Sequence, residues 1–171
     1  MKRGWRMIAP ALIALLSAGA AAPSPSSSLA GRYSRHFANG LVTGEKYESD
    51  DILEIVPVDA AHAYFRFDLQ FYNGHSCALQ GIAHAVGNTL AYREPPTGAG
   101  ERRCTLTIAR KGAKLGWDDG DDTCRAYCGA RGSFSEGSLP WSGKRPITYM
   151  ARLKGSREYR NALAEWKKGT E

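Results

Sequence analysis

The alternation of apolar and polar residues between His62 and Tyr72 is the sequence feature that most restricts the fold. The odd-numbered positions of this segment are apolar: Ala63, Phe65, Phe67, Leu69 and Phe71. Most even-numbered positions are polar, and Tyr64 and Tyr72 are amphipathic. Successive side chains of a β-strand point to opposite faces. The pattern therefore predicts a strand with one buried face and one face in water.

Turn signals divide much of the remaining chain into short strands. Asn39-Gly40, Asn73-Gly74 and Gly87-Asn88 tolerate the positive φ angles of tight hairpin turns. We also predict a break at Ser49-Asp50-Asp51, and a β-bulge at Gly81 where the apolar phase changes. The result is about eight sequential strands. They predict a mainly β fold, an antiparallel up-and-down barrel or roll, since closure removes exposed strand edges.

The C-terminal segment changes to a helical period. Ser156 is a favourable N-cap residue, and Lys167-Lys168 suit the negative end of a helix. The apolar positions recur at helical spacing and form one stripe: Tyr159, Ala162, Leu163 and Trp166. We predict a C-terminal α-helix that packs this stripe against the barrel.

The N-terminus has the composition of a secretory signal. Lys2, Arg3 and Arg6 precede an uncharged apolar stretch that is too short to span a bilayer. We predict a signal peptide at 1–20, a Pro/Ser-rich tether at 21–30 and a single β-rich domain at 31–171. This organisation predicts a periplasmic or secreted protein with no stable membrane span after cleavage.

The charge that remains after cleavage is small. Three of the 23 basic residues lie in the predicted signal, which leaves 20 against 17 acidic residues, a net charge of +3. Because the basic residues are also widely spread, we expect no binding to nucleic acid.

The four cysteines, Cys77, Cys104, Cys124 and Cys128, predict two disulfides, since an even number in an exported chain is typical of disulfide bracing. Four cysteines allow three pairings, and we favour Cys77–Cys104 with Cys124–Cys128. The alternative is zinc, but the spacing is not the paired C-x2-C form, so we expect no metal and no cofactor.

Two loops are candidate contact surfaces. The run 118–122 carries four carboxylates, Asp118, Asp119, Asp121 and Asp122, which suit a solvated turn, a metal such as Ca²⁺ or a cationic partner. The solvated turn is the favoured interpretation, because the spacing is not that of a helix-loop-helix calcium loop. The second loop follows Cys128 and is rich in Gly and Ser. There we expect Arg131, Ser133 and Phe134 to be presented at the surface, with the guanidinium of Arg131 suited to carboxylates.

Catalytic signatures are missing from the sequence. The chain has no nucleophile elbow, no HExxH and no P-loop, and its four histidines are scattered through strands. We therefore expect a binding protein rather than an enzyme, and a monomer.

The opening Gly31-Arg32-Tyr33 and the Cys-Gly-Ala-Arg-Gly stretch at 128–132, together with the leader, the strands and the late disulfide, carry a family resemblance. Over roughly residues 31–134 the chain resembles the small periplasmic β-barrel proteins of bacteria, a group that includes lysozyme inhibitors and lipocalin-like carriers. The resemblance implies a loop that enters a lysozyme active-site cleft, and an acidic loop at 118–122 suits a cationic lysozyme. The alternatives are a small-ligand carrier, with Phe65, Phe67 and Phe71 lining a cavity, or an uncharacterised cell-envelope protein.

Overall fold

A computed structural model describes residues 24–96 and 102–169 of the chain. Within them lies one sheet of eight antiparallel strands, which follow one another in sequence order. The strands are β1 Gly31–Gly40, β2 Lys46–Pro57, β3 His62–Gln70, β4 Ser76–Val86, β5 Thr89–Arg93, β6 Thr105–Lys111, β7 Lys114–Asp118 and β8 Gly137–Pro140. The α-helices are α1 Pro25–Ser28, α2 Met150–Lys154 and α3 Arg157–Lys168. The predicted signal peptide lies outside the described residues.

The sheet curls into a nearly closed barrel, which confirms the predicted fold class. Each strand is hydrogen-bonded to the next, but β1 and β8 are not paired in the sheet. Instead, Arg145, which follows β8, exchanges two backbone hydrogen bonds of 2.8 Å with Arg32 on β1. The gap between the first and last strands is therefore partly bridged by the segment that leads to α2.

The barrel has a filled interior and a second apolar layer outside. The alternating side chains of β3 point inward as predicted, and Phe65 and Phe67 are fully buried with the inner core. On the outer face, Tyr64 and Ile82 are buried with Tyr159 and other residues of the two C-terminal helices. This second layer explains why a nominally water-facing residue such as Tyr64 has no exposed surface.

The β-bulge predicted at Gly81 is absent, because β3 and β4 pair without interruption from His62↔His84 to Gln70↔Ser76. The apolar phase changes at this point because α3 covers the outer face of the sheet, so residues on both faces are buried. Gly81 itself leaves space for the ring of Tyr92, which would clash with an added Cβ.

The first predicted turn is displaced. Asn39-Gly40 ends β1, and the chain reverses at 41–45 instead. The side-chain amide of Asn39 donates to Ser49 Oγ at 3.1 Å and to the Phe71 carbonyl at 3.2 Å, which holds this residue in the strand. The turn predicted at Asn73-Gly74 is confirmed, with φ angles of 62° and 70° at the two residues.

The break predicted at Ser49-Asp50-Asp51 is wrong, because these residues lie inside β2. Asp51 is buried, forms an ion pair of 2.5 Å with Arg35 and accepts a hydrogen bond of 2.8 Å from the backbone N–H of Gln70. Partners on both neighbouring strands thus keep an acidic residue in the sheet. β8, a short strand in a Gly/Ser-rich segment, was not predicted from the sequence.

Residues 24–30 are packed against the barrel, so the predicted tether is wrong for this part of its range. The Ser26 hydroxyl is fully buried and donates to the carbonyl oxygens of Asp59 and Ala60 at 3.0 and 2.9 Å. Leu29 joins the inner core. Two barrel side chains also bind this segment: Tyr33 donates to the Leu29 carbonyl at 3.0 Å, and Lys144 donates to the Ser28 carbonyl at 2.7 Å. Composition does not reveal such distant partners.

The C-terminal helix is confirmed. The Ser156 side chain caps α3 by accepting a hydrogen bond of 3.2 Å from the backbone N–H of Tyr159. The apolar stripe faces the sheet, and the ring of Trp166 lies 4.6 Å from that of His62. Across residues 24–96 and 102–169, none of the helices has the length and apolar character needed to cross a membrane.

Candidate functional site

The four cysteines form two disulfides, as predicted, but the favoured pairing is wrong: Cys77 is bonded to Cys128, and Cys104 to Cys124. β4 pairs with β5 only from His84 to Val86, at the end of β4 opposite to Cys77. The Cys104 carbonyl accepts a hydrogen bond from the backbone N–H of Glu94, the residue that follows β5. Cys104 is therefore displaced along the sheet from Cys77. Strand order alone does not reveal this offset.

A 3₁₀ turn at Arg125–Tyr127 separates the two late cysteines. Cys124 lies against β6, with its sulfur 3.5 Å from the Thr105 carbonyl oxygen, whereas Cys128 lies against β4. The turn therefore directs two cysteines that are close in sequence to different strands. The two bonds fix both ends of the turn to the barrel.

Arg125 organises the loop that follows. Its guanidinium donates to the carbonyl oxygens of Gly129, Ala130 and Gly132 at 3.2, 2.8 and 2.5 Å. Arg125 is not among the residues that we predicted from the sequence. The sequence did contain one indication of this role. Arg125 lies between Cys124 and Cys128, and a long side chain close to a disulfide-bonded cysteine can reach the carbonyl groups of the loop that follows.

A half-buried pair, Tyr127 and Glu94, anchors the 3₁₀ turn to the segment that follows β5. The Tyr127 hydroxyl donates a short hydrogen bond to Glu94, whose other carboxylate oxygen accepts from the Cys104 backbone N–H at 3.0 Å. Burial raises the pKa of Tyr127 above its usual range, and the hydrogen bond to Glu94 raises it further. The stapled region is thus tied to the barrel by polar contacts as well as by sulfur.

The three loop residues selected from the sequence have different environments. Arg131 is exposed, with its guanidinium carbon 6.0 Å from the centre of the Tyr72 ring. Ser133 is half-buried, and its Oγ accepts from the backbone N–H of Ser135 at 3.0 Å. Phe134 is fully buried and packs edge-to-face on Phe67 at 5.4 Å. The prediction that Phe134 is presented at the surface is therefore wrong, because its ring fills the core at the barrel end.

The acidic loop is partly structural. Asp119 is only 1% exposed, and its carboxylate accepts from the Cys124 backbone N–H at 3.0 Å and the Ser135 hydroxyl at 2.8 Å. A partner cannot reach this side chain, so its predicted contact role is wrong. Asp118 is half-buried and accepts from the backbone N–H groups of Gly120 and Glu136 at 3.1 and 3.4 Å.

The other two acidic residues are at the surface. Asp121 is exposed and lies 3.7 Å from Arg102, and Asp122 lies 4.0 Å from Arg125. Both ion pairs are too exposed to contribute much stability. In the described ranges, no three or more His, Cys, Asp or Glu side chains are grouped so that they could hold a metal ion.

The loop 129–136, which follows the disulfide-bonded Cys128, is called the stapled loop below. An open cleft of about 910 Å³ lies beside it, at the seam between β1 and β8. We call it the seam cleft. Its apolar part includes Leu69, Phe71 and Trp117, and Ser133 and Tyr72 also line it. Charged groups on its lining are Arg35, Lys46, Asp51, Glu45 and Glu136. An apolar floor with charges of both signs suits a mixed apolar and polar ligand or a protruding segment of a partner.

Two of the histidines form surface pairs with carboxylates. His36 lies 3.2 Å from Glu48 and 3.1 Å from Asp50, and His62 lies 2.9 Å from Asp59. Burial by itself raises the pKa of Asp59, but hydrogen bonds from Ala61 and His62 outweigh it and hold that pKa below its usual value.

The sequence and the structure were compared with those of known proteins. The chain matches no family model, no curated protein and no solved structure. The class of protein is therefore defined by its fold alone, a disulfide-braced, eight-stranded antiparallel barrel with a C-terminal helix.

Proposed function

We propose that this chain is an exported binding protein, most specifically a lysozyme-inhibitor-like protein, that contacts its partner through the stapled loop and the seam cleft. One observation carries the proposal. Arg131 stands exposed over Tyr72, a residue of the seam cleft, on a loop held by the Cys77–Cys128 bond and by three hydrogen bonds from Arg125.

Preorganisation is the physical reason why this arrangement favours binding. A flexible loop loses conformational entropy when it binds, and that loss subtracts from the affinity. Here the loop carbonyls are already fixed by Arg125, and Phe134 anchors the loop from inside the core. The backbone that carries Arg131 therefore needs little further ordering when this side chain contacts a carboxylate.

The contact surface that we propose contains fewer residues than the set that we predicted from the sequence. It keeps Arg131 and Ser133, together with the exposed acidic residues Asp121 and Asp122. Asp119 and Phe134 support the surface from below, and Asp118 holds backbone groups of the same region. The two disulfides are compatible with the oxidising compartment that this function requires.

A second candidate function is small-ligand carriage. Phe65 and Phe67, which we expected to line an internal cavity, fill the core. Phe71 lines the open seam cleft instead, and the volume of the cleft falls in the range of small-molecule sites. A carried ligand would therefore occupy the seam cleft and not the barrel interior.

The test is inhibition of cell-wall lysis by chicken-type, goose-type and invertebrate-type lysozymes, using the oxidised mature protein. We expect near-stoichiometric inhibition of one class, weakened about 30-fold by Arg131→Ala if that residue contributes as an interface hot spot. Arg93→Ala, which removes an exposed arginine from β5, is the matched control and should inhibit as the parent does.

Two outcomes would contradict the inhibitor proposal. One is a lack of inhibition of every lysozyme class, which would leave carriage in the seam cleft as the better hypothesis. The other is an equal loss of inhibition in Arg131→Ala and Arg93→Ala, which would show that general charge, and not the stapled loop, governs the effect.

A further inference from the structure

A second cleft, of about 660 Å³, lies outside the barrel between the sheet and the segment 145–156. Its lining includes four arginines, and we call it the arginine cleft. They come from separate parts of the fold: Arg32 on β1, Arg66 on β3, Arg145 after β8 and Arg152 on α2. Nothing in the sequence pattern brings these four together, since they span most of the domain.

One carboxylate, that of Glu54, contacts two lining residues, Arg66 and Tyr149, and neutralises part of this charge. Glu54 lies between Arg32 and Arg66 in the register of the sheet and is fully buried. Its Oε2 atom lies 2.6 Å from Arg66 Nη2, and its Oε1 atom accepts a short hydrogen bond from the Tyr149 hydroxyl. A buried carboxylate needs such partners, so Arg66 has a structural role in addition to any other.

The single negative charge of Glu54 cannot neutralise the other arginines of the cleft as well. Arg145 donates to the carbonyl oxygens of Ser142 and Lys144 at 2.8 Å, and the Arg152 guanidinium lies 5.1 Å from the Tyr149 ring centre. In the described part of the chain, neither has a carboxylate within 4.0 Å.

The cleft is therefore positively charged. Four guanidinium groups face one carboxylate, which leaves a local charge of +3. Glu158 in the first turn of α3 is not part of the cleft lining and lies 4.0 Å from Arg157, but its carboxylate also interacts electrostatically with Arg66, so it offsets part of this charge. Like charges gathered in one cleft repel each other unless an anion lies between them.

We infer that the arginine cleft binds the phosphate group of a small ligand. Arginine presents a rigid fork of N–H donors that matches phosphate oxygens, and a phosphate dianion would offset most of the local charge. Thr148 and Ser156 add hydroxyl groups to the lining. Because Ser156 is also the N-cap of α3, this helix begins at the edge of the cleft. The volume leaves space for an organic group attached to the phosphate.

The first experiment is calorimetric titration of the oxidised mature protein at constant ionic strength. The probes are inorganic phosphate and glucose 6-phosphate, with glucose and sodium acetate as controls. We expect saturable binding of both phosphates and none of glucose or acetate. Sedimentation with phosphatidylcholine vesicles, with and without phosphatidic acid, then tests the second source of phosphate. Binding to the phosphatidic acid vesicles alone would place the phosphate on a lipid headgroup.

Variants locate the binding in the cleft. Arg145→Ala and Arg152→Ala should each lower the phosphate affinity about 10- to 100-fold, because each removes charge-assisted hydrogen bonds. Arg152→Lys keeps the charge but loses the fork, so we expect an intermediate loss. Arg93→Ala should bind as the parent does. Arg131→Ala should as well, which separates this site from the proposed contact surface.

A folding control is needed for the two cleft variants. Both cleft variants remove exposed side chains, and unchanged urea midpoints would show that they remain folded. Two results would overturn the inference. One is the lack of saturable binding to any phosphate probe or phosphatidic acid vesicle, and the other is unchanged phosphate affinity in both Arg145→Ala and Arg152→Ala.

Discussion

The disulfide pairing makes a quantitative prediction about stability. The Cys77–Cys128 bond joins residues 51 positions apart, and the Cys104–Cys124 bond joins residues 20 positions apart. In the chain-entropy account, a bond stabilises the folded state by restricting the unfolded chain, and the effect grows with the logarithm of the loop. Applied to these separations, it gives about 4 kcal/mol for the longer loop and about 3 kcal/mol for the shorter one.

The loops are nested, which modifies these values. Residues 104–124 lie inside the loop closed by Cys77 and Cys128. While the inner bond is intact, the outer bond closes an effectively shorter chain, so its removal costs slightly less than the isolated loop would suggest. We expect Cys77→Ala/Cys128→Ala to lose somewhat under 4 kcal/mol and Cys104→Ala/Cys124→Ala about 3 kcal/mol of unfolding free energy.

The assay combines urea unfolding, followed by tryptophan fluorescence, with thiol titration of the denatured, unreduced protein. Each double variant removes one complete bond, so the remaining bond should form and no free thiol should react. Under the pairing of Cys77 with Cys104, each variant would break both bonds and leave two reactive thiols. Two reactive thiols, or a proteolytic peptide that links Cys77 to Cys104, would refute the argument.

Two other changes test the packing. Phe134→Ala should lower the unfolding free energy by about 3–5 kcal/mol, because it empties a fully buried site beside Phe67, whereas the exposed control Val42→Ala should change it by less than about 0.5 kcal/mol. A loss below about 1 kcal/mol for Phe134→Ala would contradict its core position. Burial raises the pKa of Tyr64 from 10.0 to about 12, so the stability that the neutral phenol supports is complete below pH 10 and falls as the pH rises towards 12. Tyr64→Phe should reduce that alkaline loss by roughly 2–3 kcal/mol, and at pH 7 it should be neutral or stabilising, because among the described residues the buried hydroxyl has no hydrogen-bond partner. Equal urea midpoints of this variant and the parent at pH 11.5 would contradict the assignment.

Local sequence patterns gave correct predictions where only one face of an element is buried against the core. In β3 the inner face is set by strict alternation, and the odd-numbered residues are buried as the pattern requires. The capping of α3 by Ser156 is equally local, since the cap and its partner Tyr159 lie on one turn. Such features depend on residues a few positions apart, which the sequence displays directly.

The candidate contact residues show the limit of local patterns. A Gly/Ser-rich loop after a cysteine looks exposed in sequence, yet Phe134 in its centre is fully buried. Similarly, Asp119 belongs to an acidic run that suits solvent, but it accepts hydrogen bonds from Cys124 and Ser135 in the interior. The composition of a loop does not state which of its side chains fill the end of a barrel.

The sequence by itself determined the mainly β class, most of the strands, the C-terminal helix and the formation of two disulfides. Only the tertiary structure decided which cysteines pair, which loop residues face the core and that four arginines from distant segments line one cleft. The physical reason is the range of the interactions. Alternation and capping act between near neighbours, whereas strand offset, barrel curvature and the packing of α2 and α3 bring together groups whose separation in the chain carries no information about their distance in space.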